Sequence, residues 1–99
     1  MSEGLVFNMV GGGSGGGVGY IEGLTLLHES FGFRVNDVRL NLCSFTEGAT
    51  VEFYYTSSNV SFTNCIFRYS TIRCTQSIRD AIESDSSNII EDVSFDIVT

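Results

Sequence analysis

At 99 residues the chain has room for one domain and no second core. Its five positive charges, all Arg, face twelve carboxylates, and the net charge of −7 excludes ordinary phosphate-backbone binding and disfavours an anionic membrane surface. Eight Phe, four Tyr and a 42% apolar share exclude a disordered polymer.

In chain order, residues 1–10 read as an apolar arm, with Leu5, Val6, Phe7, Met9 and Val10 as its candidate partner-binding side chains. Gly11 to Gly19 holds seven Gly, the composition of a flexible linker. The predicted organisation is therefore an N-terminal arm over 1–19 and a single β-rich domain over 20–99. No basic region precedes an apolar run near the N-terminus, and no stretch approaches the roughly 20 apolar residues of a membrane span.

Beyond Tyr20 the pattern is β. Leu24-Thr25-Leu26 and Val38-Arg39-Leu40-Asn41-Leu42 alternate apolar with polar, and Thr50 to Tyr55 is β-branched and aromatic. Val60-Ser61-Phe62, Cys65-Ile66-Phe67, Thr71 to Cys74 and Val93 to Val98 complete the predicted strands. Thr46-Glu47-Gly48 and Thr56-Ser57-Ser58-Asn59 separate them with turn chemistry. One segment differs: Ile78, Ala81 and Ile82 follow the i, i+3, i+4 spacing of a short helix near 76–83, with Thr75 or Ser77 to cap it.

A cassette recurs as Asp37-Val38-Arg39-Leu40, Asn59-Val60-Ser61-Phe62 and Asp92-Val93-Ser94-Phe95. The first two copies lie 22 residues apart, and the match extends to Cys43/Cys65 and Phe45/Phe67. Within each copy the two apolar pairs differ in parity, so a straight strand cannot turn all four inward. A corner or bulge is required between Leu40 and Cys43, and again between Phe62 and Cys65. The third copy follows the second by 33 residues, an excess of 11 that approximates a helical insertion after Cys74.

The run Asn59-Val60-Ser61-Phe62-Thr63-Asn64-Cys65-Ile66-Phe67 resembles the coil motif of pectate-lyase-like β-helices, which include phage tailspikes. The leader Asn8-Met9-Val10-Gly11-Gly12-Gly13 is similar to the beginnings of some phage tail-associated proteins. The resemblance implies an all-β fold: a short right-handed parallel β-helix-like body behind a Gly-rich arm. An antiparallel β-sandwich, with hairpins at Glu47-Gly48 and Ser57-Ser58, is the alternative.

Candidate chemistry is sparse. His28-Glu29-Ser30 suits a turn better than a triad, since neighbours on a strand face opposite ways and no G-x-S-x-G elbow exists. Cys43, Cys65 and Cys74 are odd in number, lack CxxC spacing and read as reduced, buried thiols; one His leaves zinc improbable. Asp80, Glu83, Asp85, Glu91, Asp92 and Asp96 crowd the last 20 residues; paired acids are what glycoside hydrolysis needs, but a solvated acidic surface is the default. Glu83, Asp85 and Asn88 lack the spacing and Gly of an EF-hand.

No catalytic, cofactor or metal site is therefore expected. The resemblance implies a non-enzymatic structural or adhesion subunit of a phage particle, tail-associated and assembled through its arm in the host cytoplasm. Its implied partners are copies of itself, a trimer among the options, other virion proteins and a host glycan, with no nucleic acid or membrane. A glycan-binding or glycan-cleaving β-helix protein using Asp80, Asp92 and Asp96, as hydrolase or lyase, and a bacterial surface β-protein are the alternatives.

Overall fold

The computed structural model describes residues 5–10 and 19–98. In chain order its elements are β1 (Leu5–Val10), β2 (Gly19–Glu22), β3 (Thr25–Leu27), β4 (Ser30–Asn41), β5 (Ser44–Thr46), β6 (Thr50–Phe53), β7 (Ser58–Thr63), β8 (Ile66–Cys74), α1 (Gln76–Ser84) and β9 (Ile89–Ile97). The protein is mostly strand with one short helix, and its parallel strands curl into a half-barrel.

Among the described residues every strand pairing is parallel. This overturns the antiparallel sandwich. A parallel neighbour needs a long return path, and the 22-residue repeat supplies one. The bends at Glu47-Gly48 and Ser57-Ser58 are not hairpins; each passes the chain between strands that do not pair with each other.

Three rows of pairing result. The first runs β1–β4–β6–β8–β9, the second β2–β4–β7 and the third β3–β5–β8–β9. Long strands β4, β8 and β9 each bend through two rows. Val38 lies against Val60, Leu40 against Phe62 and Phe45 against Phe67, so the spacing read from sequence is the neighbour register itself.

The required corners are present. Leu42 and Asn64 take positive φ, 58° and 53°, between the two apolar pairs of each copy. The first residue of every cassette is also at positive φ: Asp37 (56°), Asn59 (52°) and Asp92 (52°). Asp and Asn tolerate the left-handed region better than most residues, which gives the cassette its physical meaning: a corner followed by an inward Val.

Inside the corners, Phe33, Phe45, Phe53, Phe62 and Phe67 are fully buried. Phe33 stacks on Phe53 at 4.9 Å and 12°, and Phe53 meets Phe62 edge-on at 5.3 Å. Burial of each ring contributes roughly 1.5–3 kcal/mol, and the ring pairs add about 0.5–1.5 kcal/mol each. Cys43, Cys65 and Cys74 are buried free thiols in the same core.

The helix forms where its periodicity predicts. Thr75 Oγ1 accepts from Ile78 N, and Ile78 and Ile82 are buried against the core. It is not, however, an 11-residue insertion between equivalent strands. Phe67 pairs with Ile90 and Ile72 with Phe95, a constant step of 23, and Val93 lies beside Ser70 rather than Val60. Instead α1 packs against β7, on a strand whose one strand neighbour among the described residues is β4. The helix thus stands in place of a strand in the second row.

Candidate functional site

Among the described residues stacking leaves two ends, and these carry the unpaired strand edges. At the first, β1 runs parallel to β4, with Leu5 opposite Phe31, Val6 opposite Gly32, Phe7 opposite Phe33, Met9 opposite Val35 and Val10 opposite Asn36. The backbone of the predicted arm therefore lies along the chain's own sheet from Leu5 to Val10. The Phe7 ring is 37% exposed and meets Phe33 edge-on at 6.2 Å. The glycine run from 11 to 18, read as the linker of the arm, lies outside the described residues. Next to β1 is an apolar concavity of about 310 Å³ walled by Phe7, Ile21, Leu24, Phe31 and Phe33.

At the second end is β9. Its inward positions continue stacks that are fully buried one step earlier, yet Ile90 is 38% exposed and Phe95 and Ile97 are half-buried. Ile89, beside it, is 46% exposed. Its outward positions carry acids. Glu91 Oε1 accepts from Arg68 Nε at 2.6 Å and Asp96 Oδ2 lies 3.4 Å from Arg73 Nε. These exposed pairs are worth at most about 1 kcal/mol each. They do more to fix the register of β9 on β8.

The remaining acids have structural partners. Asp80 Oδ1 accepts from Gln76 Nε2, and Glu83 pairs with Arg79, each one helical turn away. Asp85 accepts from Ser87 Oγ at 2.6 Å and Ser87 N at 2.9 Å, and these bonds hold its carboxyl below the ordinary range. Asn88 donates to Phe62 O and Ile82 O and accepts from Cys65 N, tying the end of α1 to the sheet. Asp92 is exposed at a corner. Among the described residues no group of three or more His, Cys, Asp or Glu is arranged to hold a metal. His28 also occupies a corner, at φ 54°.

The thiols are chemically uneven. The neighbouring Cys65 thiol lowers Cys43, while that contact and burial hold Cys65 protonated above the ordinary thiol range. Burial pushes Cys74 up to about 11.

Sequence reasoning did not single out Ser57. Its Oγ accepts from Val35 N at 3.0 Å and donates to Phe33 O at 3.3 Å, so a side chain completes the ladder where the Tyr54–Ser57 bend interrupts it. Within Thr56-Ser57-Ser58-Asn59 it reads as turn chemistry, which carries no signal for that role. Nor did the alternation of β9 mark it as an edge, because the same pattern serves a strand paired on both sides.

Compared with known proteins, the chain matches no family model, no curated sequence and no solved structure.

Proposed function

We propose that the half-barrel is a short right-handed parallel β-helix, and that the protein is a non-enzymatic structural or adhesion subunit of a phage particle, associated with the tail. The observation that carries the assembly part is the pair of open ends. The apolar concavity beside β1 and the half-covered stack of β9 are surfaces that repeat architectures ordinarily cover with a cap or a partner. The β-helix part is supported by three rows of parallel pairing that the chain revisits about every 20 residues, with left-handed corners between them. The phage assignment rests on the resemblance of the leader and of the Asn59–Phe67 run.

Light scattering on the purified full-length chain tests the assembly. The expected mass is a multiple of 10.8 kDa, or a larger particle when tail proteins are co-expressed. A protein that stays monomeric at tens of micromolar and does not co-sediment with assembled particles overturns the proposal.

A further inference from the structure

The edge of β9 describes its own partner, and three features of it agree. The first is the backbone. Among the described residues β9 pairs with β8 alone, over a strand of nine residues, so its other edge offers a long row of ladder positions to an incoming chain.

The second is apolar register. Phe67, Ile72 and Cys74 are fully buried, and their neighbours on β9, in the order Ile90, Phe95 and Ile97, are not. A further strand in the same register would cover them. The third is charge. Arg68 and Arg73 stand five residues apart on β8, and each meets a carboxylate on β9 at the same spacing, Glu91 and Asp96. An outward position inside a parallel stack has a neighbour on each side, and these two acids have a cation on one side only among the ion pairs of the described residues.

We propose that the β9 edge is a docking site for an extended, basic segment of a different protein, added as a parallel strand with two cations five residues apart opposite Glu91 and Asp96. The proposal rests on the assembly reading above and names its partner chemistry. A second copy of this chain fits poorly. In the first row Val6, Gly32, Glu52, Arg73 and Asp96 are successive neighbours, so an incoming β1 would set Val6 where a cation is wanted. A second chain of net charge −7 would also be repelled at an acidic edge. The helix closes the second row, so one strand bent through the third and first rows is what the edge admits.

The test keeps the protein wild-type and varies the probe. A synthetic peptide with the β8 sequence Ile66–Cys74, carrying Cys74→Ser, is titrated into the isotope-labelled chain, alongside the same peptide with both Arg replaced by Glu. The expected result is amide shift changes centred on Ile89–Ile97, binding about tenfold tighter for the Arg peptide, and an affinity that falls as salt rises. Equal binding of the two peptides, shifts centred on β1 to β3, or no binding at about 1 mM overturns the proposal. Homo-oligomers whose β9 amides are protected by a second copy would also overturn it while leaving the assembly reading intact.

Discussion

Asn59 sits on Asp37 at one corner of the fold: both backbones are left-handed, and Asn59 Nδ2 donates to Asp37 Oδ1 at 2.7 Å. The 22-residue repeat thus reaches the side chains as well as the strands. Asn59→Val places a β-branched residue in the left-handed region and removes the bond. The expected cost is about 2 kcal/mol; Asn59→Gly, which keeps the backbone at ease, should cost less than half of that. Urea unfolding of the two variants checks the order.

Leu42 is the misfit of its corner. Gly23 and Asn64 occupy the flanking corners at φ 73° and 53°, whereas Leu42, 59% exposed, takes φ 58° with no compensating burial. Leu42→Asn should raise stability by about 0.5–1 kcal/mol. An unchanged or lowered denaturation midpoint would show that the corner imposes no such strain.

Two buried serines should respond in opposite directions. Ser57→Ala strips the partner from Val35 N, while Phe33 O keeps the bond from Tyr54 N, and should cost about 1–3 kcal/mol. Ser70 Oγ is buried without a partner among the described residues. Ser70→Ala should therefore be neutral or stabilising by about 1 kcal/mol. Parallel melting curves of the two variants decide it.

Alkaline pH should weaken the fold through Cys74. Its thiol titrates at about 11 when folded against 9.0 when free. Between those values the folded state binds more protons than the unfolded one, so stability falls as pH rises through that window. The contribution is fully present below about pH 9. Cys74→Val should make this fall shallower, the raised Cys65 thiol keeping its own share, read as the difference in unfolding free energy between pH 8 and about pH 10.5.

Much of the architecture was legible because parallel stacking turns register into sequence spacing. Val38/Val60 and Phe45/Phe67 could be paired before any coordinates, and parity alone required the corners at Leu42 and Asn64. Asp92 shows where the logic stops. Its cassette marks a corner of the same local conformation, but at the bend between Glu91 and Val93, where Tyr69 and Glu47 hold the positions 23 and 45 residues earlier. A local motif reports a backbone conformation and not which bend of the circuit it serves. The placement of Leu5–Val10 along β4 was hidden for a different reason: an apolar run reads alike whether it covers its own sheet or a neighbour's.

The helix has a consequence for growth. A stack of parallel strands with two bare ends is the geometry of a fibril, able to add copies without limit. Because α1 occupies the place of a strand beside β7, a further layer cannot match the one beneath it on all three sides. Nine residues of helix thereby separate this stack from a uniform template for aggregation.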